Sequence, residues 1–157
     1  MTTIYLIRHA EAEGNLYRRI HGWYDSLITK NGERQIQALQ QRFDSVPIDA
    51  VYSSDLIRTQ LTAGAVYLPK GLPLHLHPGL REIHMGGWED RTWGEVRHFQ
   101  GDQLALFNHT DPSFQAPGGG EGFGPLGDRV YEAIRSIAQK HPDQNVALFS
   151  HGTAIRQ

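Results

Sequence analysis

The chain has 157 residues, with 15 Lys and Arg against 17 Asp and Glu, so it fits one domain with a net charge of −2. That balance gives no global field to recruit nucleic acid or an acidic membrane, and any anion must be held by a local basic cluster. Cysteine is absent, which excludes disulfides, thiolate catalysis and cysteine-ligated zinc. With no apolar run near the ~18 residues of a membrane span and no signal-like leader, a cytoplasmic protein is expected.

Ile4-Tyr5-Leu6-Ile7 reads as a short strand buried on both faces of a parallel sheet, running straight into Arg8-His9. Open α/β sheets place ligands at that carboxyl end. The polar run Glu11–Asn15 and the segment Leu16–Ile20 predict a short helix or an ordered loop over the crevice. Asn15 offers its amide either to an anion or to a cap or turn. His21–Ser26 is turn-rich. Thr29 is a good N-cap for a helix with Ile36, Leu39, Phe43 and Val46 on one face, stopped by Pro47.

Asp49–Ser53 predicts the second strand, and Ser54 the cap of a helix running to about Leu68. Arg58 falls in the first turn of that helix, where the dipole disfavours a cation by ~0.3–1 kcal/mol. Either it is an exposed arginine that tolerates this, or it shares an anion with the helix N-terminus. Leu72–His77 predicts a third strand. His75 and His77 alternate on it, giving two imidazoles on one side, which is short of the ligand set zinc wants and fits an exposed strand edge.

Glu82, in an apolar stretch bordered by glycines, reads as a carboxyl acid or as half of a surface salt bridge. Thr92 to about Asn108 predicts one or two helices, with Trp93, Val96, Phe99, Leu104 and Phe107 available for packing. Asp111–Gly127 is rich in Pro and Gly and predicts a mobile loop. No Lys-Ser/Thr follows Gly118-Gly119-Gly120, so a P-loop is a poor reading. Pro125 suits the first turn of a helix carrying the stripe Leu126, Val130, Ile134, Ile137 and Ala138. The strand Val146–Ser150 then delivers His151-Gly152, so two strands each place a histidine at one crevice. Strands separated by helices make the fold α/β with a mainly parallel sheet.

Arg8, His9, Asn15, Arg58, Glu82 and His151 are the candidates for chemistry. Two guanidiniums suit a dianionic phosphoryl group. A neutral imidazole can attack phosphorus and split one transfer into two steps. A second, protonated histidine stabilises the equatorial oxygens. A carboxylic acid can protonate the departing oxygen and later activate water. Arginine and histidine already neutralise the phosphate, so no metal and no cofactor is called for.

Five ordered motifs carry a resemblance: Arg8-His9-Ala10-Glu11 with Asn15; Gly22-Trp23-Tyr24-Asp25-Ser26; Tyr52 to Thr59; Leu80-Arg81-Glu82 with Gly87-Trp88-Glu89; and Ser150-His151-Gly152. Together they resemble the histidine phosphatase superfamily, the phosphoglycerate mutase-like group. The resemblance implies a three-layer α/β/α sandwich with its pocket at the carboxyl edge of the sheet. It implies His9 as phosphate-accepting nucleophile and Glu82 as proton donor. Arg8, Arg58 and His151 would form the phosphate pocket, with Asn15, Trp23 and Gly152 completing the substrate-binding set.

Ala10 stands where the family most often has glycine, and Leu27 where proline is common. The chain ends six residues after His151, so a single domain truncated at its C-terminus is expected. The segment Trp88–Gly127 is shorter than the insertion over a mutase pocket, which favours a phosphatase, closest to the broad-specificity branch. The expected partner is a small phosphorylated metabolite or phosphate ion, with no nucleic acid or membrane, and the protein a monomer or homodimer. The alternatives are mutase-type phosphoryl transfer and a catalytically silent phospho-ligand binder.

Overall fold

The computed structural model describes residues 1–157. In chain order the elements are β1 (Thr3–Arg8), α1 (Glu13–Leu16), α2 (Lys30–Phe43), β2 (Ala50–Ser53), α3 (Ile57–Lys70), β3 (Leu74–Leu76), α4 (Trp93–Phe99), α5 (Gly101–Asn108), α6 (Phe123–Lys140), β4 (Asn145–Ser150) and α7 (Gly152–Arg156). All strand pairs are parallel and the order is β1-β4-β2-β3. Because β4 is central, both of its faces are covered. Ala147 and Phe149 pack with Val51, Ala63, Val66 and Phe43 beneath α2 and α3, while Val146 and Leu148 pack with Ala133 and Ile137 of α6. Successive side chains of a strand point to opposite faces, so an uninterrupted apolar run is what a doubly covered strand requires. The result is the three-layer α/β/α sandwich. A third core, built on Ile20, Ile83, Met85, Trp88, Phe114 and Phe123, supports the loops above the carboxyl edge of the sheet. No helix is long and apolar enough to cross a membrane.

Several expectations are corrected. β1 is an edge strand rather than a doubly buried one, and Leu6 is 38% exposed, because its only partner is β4. β3 is confined to Leu74–Leu76. Ser54 does not cap α3. The N-cap position is Leu56, and the first free N–H, that of Ile57, is taken by Asp25 Oδ1 from a distant loop. Phe99 stays 68% exposed, whereas Val96 and Leu104 are buried. The segment read as a mobile loop is packed: Phe114 and Ala116 are buried, Gln115 bridges to Gly122, and α6 already begins at Phe123. Gly86 shows why glycine is needed at this junction. Its φ is +54°, and a Cβ there would lie 2.2 Å from the Pro117 carbonyl oxygen. Thr29 caps α2 as expected, accepting from Gly32 N–H at 3.0 Å.

Candidate active site

Three adjacent strands, β1, β4 and β2, end at one edge and hand over His9, His151 and Ser54. The ladder continues one step past the strands: His9 N–H donates to Ser150 O, and Ser54 N–H to Phe149 O, each at 3.0 Å. The two imidazoles are thereby held with ring centroids 5.2 Å apart. His9 is 7% exposed and His151 fully buried.

The hydrogen bonds dictate the tautomers. His9 Nδ1 lies 2.7 Å from the Ala10 carbonyl oxygen. A carbonyl only accepts, so Nδ1 carries the proton and Nε2 keeps a free lone pair. Burial, reinforced by Arg58 and Arg8, pushes the His9 pKa down to about 3, so the ring is neutral near neutral pH. For His151 the partner chain is longer. Thr59 Oγ1 donates to Leu56 O at 2.7 Å, Ser54 Oγ lies 2.6 Å from Thr59 Oγ1, and His151 Nε2 lies 2.7 Å from Ser54 Oγ. With the Thr59 proton committed to a carbonyl, Ser54 donates to Thr59 and accepts from His151 Nε2–H. Nδ1 is left without a partner. Burial, then Arg58, His9 and His21, hold the His151 pKa well below its usual value.

Arg58 is fully buried, which removes the reading of an exposed arginine. Its Nη2 donates to Gly22 O at 2.7 Å and its Nη1 to Tyr24 O at 3.1 Å, while Nε has no partner. Burial lowers its pKa to about 10, and the guanidinium remains charged. Arg8 is exposed, and its guanidinium lies over Gly152, where a Cβ would stand 3.2 Å from Arg8 Nε. Glu82 forms no salt bridge. Its Oε1 accepts from Ile83 and Ala154 N–H and its Oε2 from Thr153 N–H, all within 3.0 Å. Asn15 takes the cap or turn role: Oδ1 accepts from Ala12 N–H at 3.0 Å, which turns Nδ2 toward His21 Nε2 at 3.5 Å.

Arg8, Asn15, Glu82 and Gly152 line one cavity of about 710 Å³, which also takes in Ile20, Ile83, Met85, Trp93 and Phe107. His9 opens onto an adjoining recess shared with Arg8 and Asn15. Trp23 lies elsewhere: its indole N–H donates to Glu82 O at 2.8 Å, and its ring stacks under Arg81 at 4.6 Å. His75 stacks on Tyr52 and His77 Nδ1 accepts from Gly79 N–H, so both rings have other work.

His21 was not among the candidates. It lines the cavity edge-on to His9 at 5.6 Å, bonded to Ser26 Oγ at 2.9 Å, and burial with Arg58 pushes its pKa down to about 3. Its ring fills the space above Gly14, where a Cβ would meet His21 Cγ at 2.5 Å. Its position one residue before the Gly22–Ser26 motif was the available signal.

A neutral buried imidazole with a free lone pair stands beside a second imidazole and a buried guanidinium that each keep one unpartnered nitrogen, an arrangement chemically suited to an anionic group. Residues 4–157 match the histidine phosphatase superfamily (branch 1), and the chain belongs to that family. It is 33% identical over 162 residues to a metal-independent phosphoserine phosphatase of Arabidopsis thaliana, covering 99% of this chain and 66% of the relative. It is 35% identical over 155 residues to a probable phosphoglycerate mutase GpmB of Serratia proteamaculans, covering 99% and 72%. Among solved structures, YhfR of Bacillus stearothermophilus superposes with a TM-score of 0.93 at 35% identity, covering 99% of this chain and 76% of that one. The chain thus spans about two thirds to three quarters of the length of these relatives.

Proposed function

We propose that this chain hydrolyses small phosphomonoesters through a phosphohistidine on His9. The observation that carries the reading is that only two buried side-chain atoms lack a hydrogen-bond partner, Arg58 Nε and His151 Nδ1, and both belong to the His9 site. Leaving the buried Arg58 Nε–H unpaired is unfavourable by about 1–3 kcal/mol, and His151 Nδ1 becomes a second donor once it is protonated, so together they mark where an anion is received.

With the phosphoryl group held by Arg8, Arg58 and His151, His9 Nε2 attacks phosphorus as the bond to the leaving oxygen breaks. Glu82 gives that oxygen its proton. Oε2 accepts only one N–H, so it is the oxygen with room for the proton. In the second half, Glu82 takes a proton from water, which attacks phosphorus and frees His9. His151 Nδ1 receives a phosphoryl oxygen once it carries a proton, which a monoanionic substrate can bring. Exposure of Arg8 and Asn15 opens the phosphoenzyme to water, which favours hydrolysis over retention. The Serratia relative's name keeps mutase-type transfer as the second reading.

A single turnover with a phosphorus-labelled phosphomonoester, in excess chelator and followed by denaturation, tests the route. Acid-labile, base-stable label on the wild-type chain, absent from His9→Ala, is expected, with phosphate as the product. Label surviving in His9→Ala would refute the role. Label passed to an added phosphoglycerate rather than to water would establish the mutase instead.

A further inference from the structure

The segment Gly79–Met85, which carries Glu82, begins inside one 3-10 turn (Pro78–Leu80), ends just before another (Gly86–Trp88) and joins no sheet ladder. Three of its carbonyls converge on one side chain. Arg129, on α6, donates from Nη1 to Gly79 O and Arg81 O and from Nη2 to Glu82 O, each at 3.0 Å. Its remaining donors go to Glu121: Nε to Oε1 at 2.9 Å and Nη2 to Oε2 at 2.8 Å. Every N–H of the guanidinium is therefore engaged. Glu121 Oε2 in turn accepts His84 N–H at 2.8 Å, so the pair grips the segment on both sides of Glu82.

We infer that Arg129, backed by Glu121, is a positioning residue that sets Glu82 for proton transfer. The inference rests on the role of Glu82 proposed above. Arg129 touches no part of the cavity, whereas Glu82 lines it. Its action runs through the backbone of residues 79–82. The planar fork reaches several carbonyls at fixed angles, which an ammonium with three donors at one point cannot reproduce. With Lys at this position at least two of the five bonds are lost, and the carboxyl is free to drift against the leaving oxygen. A displacement of about 1 Å from productive geometry can slow a reaction by ~100-fold.

The readout is kcat/KM, which reports the steps up to phosphohistidine formation, for an alkyl phosphate and for 4-nitrophenyl phosphate. Nitrophenolate leaves without a proton and an alkoxide does not. Arg129→Lys should lower kcat/KM for the alkyl ester by about 10- to 100-fold, and that for the nitrophenyl ester by less than about 3-fold. Glu121→Gln should give the same selectivity more weakly, and it decides the matter if Arg129→Lys does not fold. Equal losses on both esters in the Arg129 and Glu121 variants, with Glu82→Gln still selective, would make the clamp merely structural and overturn the inference. Equal losses in Glu82→Gln itself would remove the donor role, and the inference with it.

Discussion

Lowering the pH from 7 to 5 should destabilise this protein through its own active site. His9 and His21 have folded pKa values pushed to about 3 against an ordinary 6.5. Between those values the unfolded chain binds a proton at each position and the folded chain does not. Stability therefore falls as pH falls through 6.5, and the loss continues toward pH 3. Integrating the linkage relation from pH 7 to pH 5 gives about 2 kcal/mol per histidine, so about 4 kcal/mol for the two. His151 shifts in the same direction and adds to the loss. The window is chosen above the range of Asp55, whose pKa is lowered by its hydrogen bonds with Arg81. Urea unfolding followed by tryptophan fluorescence at pH 7, 6 and 5 supplies the free energies. In His21→Gln the pH-dependent part of the loss should shrink by about 2 kcal/mol, whatever the variant's stability at pH 7. A wild-type loss below about 1 kcal/mol, or an unchanged loss in His21→Gln, would show that these rings are not held neutral by burial.

Two further outcomes test the shell around the site. Ser54→Ala strands the His151 Nε2–H, and Thr59→Val breaks the next link; each should cost about 1–3 kcal/mol by calorimetry. Because one chain carries both, the double variant should lose clearly less than the sum, and strict additivity would argue against a shared chain. Gly14→Ala drives a methyl into the His21 ring and should cost about 1–3 kcal/mol. Adding His21→Ala should recover part of that by removing the clash, and a further drop would place the strain elsewhere.

What the sequence conveyed well was whatever is local and periodic. The apolar run of β4, the α6 stripe and the Thr29 cap each depend on neighbours within a few residues. His9 and His151 were legible because each follows a strand directly, and the strand's end fixes its place. What was missed depends on distant encounters. Ser54 looked like a cap because a serine precedes a helix, but the groups it serves are His151 and Thr59, and the capping is done by Asp25. Arg129 is not among the candidates the sequence offers, since nothing in spacing shows that three carbonyls will arrive beside it. The edge position of β1 is a matter of strand order, which periodicity does not encode.

The register of β1 against β4 has a consequence for dynamics. Arg8 pairs with Ser150, so His9 and His151 leave the sheet from adjoining rungs, and their separation belongs to the strand pair rather than to either side chain. Side-chain fluctuation alone therefore cannot take the two imidazoles far apart; that requires opening the end of the ladder. The lifetime of a competent site is then bounded by amide exchange at the His9 and Ser54 N–H groups, and a slow-exchanging pair there would report a pocket that stays assembled between turnovers.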